Sequence, residues 1–174
     1  MTESEVFEAV TGSGSSDFAI LVRILNQHGP WCLIGGLTVN CYVEPVYTLD
    51  ADIVVVSSEL PGIRSDLLSA GFLVEEFKHS LNAQMQGSDL RIQLSLDPRY
   101  QSFVKQAQIS AVLGQQVPVA SLQDVVQGKT WAWSDEQCRA SKRKKDELDL
   151  MRILERYPET RTLMPEMIKS QVPE

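Results

Sequence analysis

A strand that opens with two acids constrains this chain more than any other feature. Thr48-Leu-Asp-Ala-Asp-Ile-Val-Val-Val56 follows Trp31-Cys-Leu-Ile-Gly-Gly-Leu-Thr-Val-Asn40, and one short helix fits between them. Alternation along a strand puts Asp50 and Asp52 on one face with Val54 and Val56. Leu49, Ala51, Ile53 and Val55 fill the other face. A strand apolar on both faces belongs inside a sheet covered on both sides. Two carboxylates at its end are unfavourable there unless a cation sits on them. At ~6 Å and an effective dielectric of ~20 they repel by roughly 3 kcal/mol. Mg²⁺ or Mn²⁺ removes that repulsion, and Mg²⁺ takes one or two carboxylates with substrate phosphates as its remaining ligands.

Gly35 and Gly36 end the apolar run Leu33-Ile34 and precede a helix expected over Leu37 to Tyr42. Glycine has no Cβ, so backbone and ligand can come close. The first N–H groups of a helix have no partner within it and suit phosphate. An acid pair and a phosphate-friendly turn in this order predict a site for phosphate groups held through a divalent cation.

The order of an apolar residue, Gly-Gly, a short spacer and Asp-x-Asp on a strand resembles the nucleotidyltransferase superfamily that includes DNA polymerase β. Here it is Ile34-Gly35-Gly36, a spacer through Leu49, and Asp50-Ala51-Asp52. Val117-Pro-Val-Ala-Ser-Leu-Gln-Asp-Val-Val-Gln-Gly-Lys129-Thr-Trp-Ala and Ser141-Lys-Arg-Lys-Lys-Asp146-Glu-Leu-Asp-Leu-Met-Arg-Ile-Leu resemble the bacterial AbiEii-type nucleotidyltransferases, several of which are toxins of toxin–antitoxin or abortive-infection systems. The resemblance runs from about Asp17 to Pro158. It implies an α/β nucleotidyltransferase fold: a mixed sheet, flanking helices and a helical C-terminal region. It implies metal at Asp50 and Asp52, and catalytic roles for Asp50, Asp52, Lys129 and Asp146. Gly35, Gly36, Thr48 and Lys129 become the phosphate-binding set. The implied reaction transfers a nucleoside monophosphate from a nucleoside triphosphate to a hydroxyl, that of an RNA 3′ end such as tRNA's first, with a protein hydroxyl or a small molecule as the alternatives. An antitoxin protein is the implied partner.

Two departures follow from the same comparison. The family's third carboxylate falls on Gln93, within Leu90-Arg-Ile-Gln-Leu-Ser-Leu-Asp97. An amide accepts a hydrogen bond but cannot serve as a carboxylate base. Asp97 lies roughly 13 Å further along the strand, and Asp97-Pro98 reads as a strand-ending turn. The basic residue expected before Thr48 is also absent, since Val46 and Tyr47 stand there. A catalytically degenerate nucleotide- or partner-binding module is therefore the alternative to an enzyme.

Composition sets the outer bounds. The 174 residues suit one domain, with 43% hydrophobic and 22% charged residues. No apolar run reaches ~18 residues, so no membrane span is expected. Cys32, Cys41 and Cys138 show no disulfide or zinc spacing and suit a reducing cytoplasm. A net charge of −7 argues against sequence-blind nucleic-acid binding. Five of the sixteen basic residues cluster at Arg139, Lys142, Arg143, Lys144 and Lys145. Cations at a helix start oppose the macrodipole, which suggests a patch for an anion. Asp149, one turn beyond Asp146, reads as a partner for a nearby base. His28 and His79 carry no assigned chemistry. The expected organisation is a loose leader over 1–14, a core over 15–120 and a helical region over 121–174. Ser15 or Ser16 and Ser121 and Ser141 are the expected helix caps, and a short tail follows Pro158.

Overall fold

Alternation sorts the apolar side chains onto the two faces of one sheet. The computed structural model describes residues 2–174. Seven strands are present: β1 Trp31–Ile34, β2 Asp50–Val55, β3 Phe72–Glu76, β4 Ser80–Met85, β5 Arg91–Ser95, β6 Gln108–Val112 and β7 Gln115–Val119. Their order is β3-β4-β5-β2-β1-β7-β6. The sheet is mixed: β2 runs parallel to β5 and β1 parallel to β7, while the other neighbours are antiparallel.

One face buries Leu33, Ala51, Ile53, Val55, Leu81, Ile92 and Leu94 under three helices, α1 Glu3–Thr11, α2 Gly14–Leu25 and α4 Leu60–Ser69. Phe18, Leu21 and Leu25 of α2 and Ile63 and Leu67 of α4 supply that layer. The short helix α3, Gly35–Val39, links β1 towards β2. The other face buries Cys32 and Val54 under α5 Leu122–Ser134 and α6 Ala140–Arg156. A 3-10 segment, Pro98–Gln106, wedges Phe103 between sheet and α5. Gly128 lets α5 come close, because a Cβ there would stand 3.2 Å from the Tyr100 ring and 3.3 Å from that of Phe103.

The second layer is short. It covers β7, β1 and β2 but leaves the same face of β5, β4 and β3 open. Leu73 is 65% exposed there, and Glu75 and Gln84 are exposed beside it.

Several expected boundaries are corrected. The leader expected over 1–14 contains α1, closed by a capping box in which the Thr2 hydroxyl accepts from the Glu5 N–H and Glu5 accepts from the Thr2 N–H. Its single core residue, Phe7, gave the sequence too little periodicity to register. Helix α2 starts at Gly14 after Ser13, because the Thr11 hydroxyl accepts the Gly14 N–H, while Ser16 hydrogen-bonds Glu8. Ser121 does cap α5, accepting from the Asp124 N–H. Ser141 caps nothing: α6 begins at Ala140 after Arg139. The tail after Pro158 is a 3-10 turn, Pro158–Leu163, and a helix α7, Glu166–Gln171, burying Met164, Ile168 and Val172 in the second core.

Candidate active site

The acid pair sits where three strands are in register. Ile34 of β1 pairs with Asp52, and Asp52 pairs with Gln93 of β5. Chain connectivity therefore sets the Gly35-Gly36 turn on one side of the pair and Gln93 on the other. Gly35 has φ +73°, and a Cβ there would lie 3.1 Å from the Asp52 Cβ and overlap its carboxylate. Only glycine satisfies both the left-handed backbone and that approach. The helix that follows starts at Gly35 rather than Leu37, so the turn and the first helical residues are one element. Gly35→Ala is expected to cost about 1–2 kcal/mol from the backbone conformation alone, and to push Asp52 aside. Urea unfolding measures the first effect, and Mg²⁺-dependent nucleotide titration the second.

A cleft of about 450 Å³ opens above the pair, between the sheet and the α5–α6 layer. Gly35, Gly36, Thr48, Asp50, Asp52, Gln93, Lys129 and Asp146 all line it, so the sequence-predicted residues from five elements come together. Burial pushes the Asp52 carboxyl above its ordinary range. Asp50 and Asp146 add to that shift, while Lys142 and Lys129 oppose it. Asp50 is nearer the solvent, and the Arg91 Nε donates to its Oδ1 at 2.7 Å. Thr48 is buried beneath the cleft, its hydroxyl accepting from the Asp50 N–H at 3.3 Å and from Lys145 Nζ at 3.5 Å.

Lys129 lies deeper than a surface phosphate clamp would. It is 8% exposed and stands 2.8 Å from both Asp146 Oδ1 and Asp149 Oδ2. Arg152 holds Asp149 Oδ1 at 3.0 Å and donates to the Glu44 carbonyl. Burial pulls the Lys129 pKa down, but Asp149 and Asp146 outweigh it and the net shift is upward. Asp146 Oδ2 is buried without a hydrogen-bond partner.

The basic run divides by helix face. Arg139, Lys142 and Lys145, three residues apart, line the cleft. Arg143 instead donates to the Trp133 carbonyl at the end of α5, and Lys144 pairs with Glu147. The far wall is aromatic. Trp131 stacks on Phe103 with ring centres 5.8 Å apart, and Tyr100 meets both edge-on at 5.3 Å. Arg99 lies 5.3 Å over Trp131, steered by Asp97, which also caps the 3-10 segment. Asp97 is thus held at the strand-ending turn, and it lines the cleft.

The sequence placed Lys145 in the basic cluster but did not single out Arg91 or the Tyr100–Trp131 wall. The i, i+3 spacing of Arg139, Lys142 and Lys145 was a usable signal. The Arg91 contact was not legible, because it depends on the parallel register Asp50↔Arg91.

Among the described residues no group of three His, Cys, Asp or Glu side chains converges as a metal cage. The donor set is two carboxylates on one face of β2, with the Gln93 amide beside them. That set suits Mg²⁺ or Mn²⁺ with phosphate oxygens completing the shell, because Mg²⁺ is ordinarily held by one or two carboxylates plus substrate phosphates. The unfavourable burial of Asp52 beside Asp50 is the charge state such a cation relieves.

No family model and no curated protein matches the sequence. Solved structures do match in fold. ANT(2″)-Ia in complex with adenylyl-2″-tobramycin is 11% identical, with a TM-score of 0.63 over 90% of this chain and 92% of that one. The lincosamide antibiotic adenylyltransferase LnuA, lincomycin-bound, is 13% identical, with a TM-score of 0.53 over 88% and 98%. An antigenic nucleotidyltransferase-like protein from Paracoccidioides brasiliensis is 16% identical, with a TM-score of 0.54 over 83% and 77%. The chain therefore has the nucleotidyltransferase fold. No helix among the described residues is long and apolar enough to cross a membrane.

Proposed function

We propose that this chain transfers a nucleoside monophosphate from a nucleoside triphosphate to a hydroxyl acceptor. The carrying observation is the register Ile34–Asp52–Gln93, with Gly35 pressed against Asp52 at the floor of a cleft that Arg139, Lys142 and Lys145 also line. Asp50 and Asp52 would hold Mg²⁺ or Mn²⁺. Bound there, the cation stabilises charge on the entering and leaving oxygens of an in-line displacement. Gly35 and Gly36 leave room for phosphate beside Asp52. Lys142, Lys145 and Arg139 supply positive charge for the triphosphate, and the Tyr100–Trp131 wall offers a face for the base. Lys129 holds Asp146 and the α6 frame in place. Gln93 accepts a hydrogen bond from the acceptor hydroxyl but takes no proton, which leaves to water as the phosphorus–oxygen bond forms and pyrophosphate departs.

The fold neighbours' named complexes, with adenylyl-2″-tobramycin and with lincomycin, support nucleotidyl transfer to a small-molecule hydroxyl. The AbiEii-type reading, with an RNA 3′ end, an antitoxin partner and a cytoplasmic setting, rests on the sequence motifs. Incubation with each labelled nucleoside triphosphate, Mg²⁺ or Mn²⁺ and pools of RNA or small hydroxyl compounds tests the reaction. Label should move only with metal present, and Asp50→Asn should stop it.

One observation favours a second reading, a binding module without turnover: Arg91 already sits on Asp50. Gln93→Glu separates the two. In an enzyme the added carboxylate keeps or raises kcat, because it can accept the hydroxyl proton. In a binding module it tightens Mg²⁺ and no label moves. Single-turnover assays beside Mg²⁺ titration distinguish these outcomes.

A further inference from the structure

In-line displacement separates the two substrates across β2. The leaving pyrophosphate and the attacking oxygen must lie on opposite sides of the α-phosphorus. The Gly35-Gly36 turn, reached from β1, flanks Asp52 on one side, and β5 flanks it on the other. A triphosphate on the glycine side leaves the β5 side for the acceptor.

A second cleft of about 720 Å³ opens on that side. It shares Asp50, Asp52, Arg91, Gln93, Arg139 and Lys142 with the first and runs out over β4 and β3. Its floor is a polar row across four strands. Asp52 pairs with Gln93, Gln93 with Asn82, and Asn82 with Glu75. Cross-strand partners share a face, and three strand spacings span roughly 14 Å.

We propose that this row is the acceptor subsite, and that it takes a compact, non-anionic polyhydroxylated molecule rather than a polynucleotide. The proposal rests on the nucleotidyl-transfer reading above and specifies its second substrate. Past the acid pair and its neighbouring cations Arg91, Arg139 and Lys142, the described lining carries the amides of Asn82, Gln84 and Gln86 and the carboxylate of Glu75, without Lys or Arg. Protein–nucleic-acid contacts go mostly to phosphates, so a floor with no Lys or Arg beyond those three suits that ligand badly. Amides both donate and accept, which matches hydroxyls. Asn82 Oδ1 adds a demand for a donor. It is buried with no hydrogen-bond partner and belongs to a residue that lines the cleft. A buried acceptor calls for a donor. A hydroxyl or ammonium supplies one; the ribose 2′ hydroxyl of RNA donates too, so it is the scarcity of cations on this floor that sets the two ligands apart. In the reaction, one acceptor hydroxyl oxygen bonds to the α-phosphorus, its proton passes to water, and pyrophosphate leaves with the electrons of the broken phosphorus–oxygen bond.

Calorimetry on the full chain, with Mg²⁺ and a non-hydrolysable nucleoside triphosphate analogue, tests three probes of similar length: maltotetraose, a glucosamine tetramer, and an RNA tetramer with a free 3′ hydroxyl. The saccharides should bind at least about tenfold more tightly than the RNA. Asn82→Leu should weaken saccharide binding about fivefold, as for one lost hydrogen bond, and leave the analogue's affinity unchanged. The exposed variant Glu75→Lys, which disturbs no packing, should narrow the gap to RNA. RNA binding as tight as the saccharides, or no saccharide binding while the analogue binds, overturns the proposal. Failure of the analogue itself to bind with Mg²⁺ overturns the underlying reading as well.

Discussion

Asp52→Asn should abolish metal-dependent transfer and make the metal-free protein more stable. Metal stabilisation of several kcal/mol in an in-line displacement corresponds to a loss of about 10³-fold in kcat. The stability effect has the opposite sign. Burial, then Asp50 and Asp146, raise the Asp52 carboxyl above its ordinary range. A group whose pKa is raised on folding favours the folded state while it is protonated. That contribution is complete below the unfolded carboxylate value of about 4 and is lost as pH rises through the elevated one. Metal-free wild type should therefore lose stability across that window, while the Asn variant, fixed in a neutral form, should not. Each kcal/mol of difference moves Tm by roughly 2–4 °C in a chain of this size. Differential scanning calorimetry in EDTA, from pH 4 to pH 8, reads the gap. Equal profiles for the two proteins would refute the assignment of Asp52 as a repelled, desolvated carboxylate.

Lys129→Ala should be a folding lesion before it is a binding one. The ammonium lies between Asp146 and Asp149 at 2.8 Å from each, with all three side chains buried. Removing one partner of a buried ion pair costs about 3–5 kcal/mol, because the other charge stays behind uncompensated. Arg152 still covers Asp149, but Asp146 would be left bare. A fall in Tm on the order of 10 °C is expected. Lys129→Met combined with Asp146→Asn should recover much of it, since a neutral pair of similar volume removes the stranded charge. If Lys129→Ala kept its full Tm and lost only nucleotide affinity, the lysine would be a phosphate ligand rather than a frame for α6.

The sequence was most informative where local periodicity and function coincide. The alternation of Asp50 to Val55 gave the strand, its two faces and the shared side of the acids. Gly35-Gly36 marked the turn, and α3 both starts and ends earlier than expected, at Gly35–Val39. Lys129 and Asp146 were placed together by resemblance rather than by spacing, since they lie on separate helices. What stayed hidden depends on pairing between distant strands. Arg91 on Asp50 and Asn82 beside Gln93 follow from registers that no local window contains. Helix α1 was missed because one buried phenylalanine in nine residues leaves almost no periodic signal. The folded C-terminus was missed because its turns are short, and their burial depends on the groove beside α6.

The uneven cover of the sheet also bears on how such a chain can change over time. The half under α5 and α6 is packed on both faces, and its acids, lysine and glycines constrain one another closely. On the open half, Leu73, Glu75 and Gln84 project into solvent and support no core. Substitutions at exposed positions usually alter stability by no more than about 0.5 kcal/mol. Selection can thus rewrite that surface without risk to folding, while the phosphate chemistry stays fixed. On the acceptor placement proposed above, mutation of a few outward-facing strand residues suffices to exchange one hydroxyl compound for another.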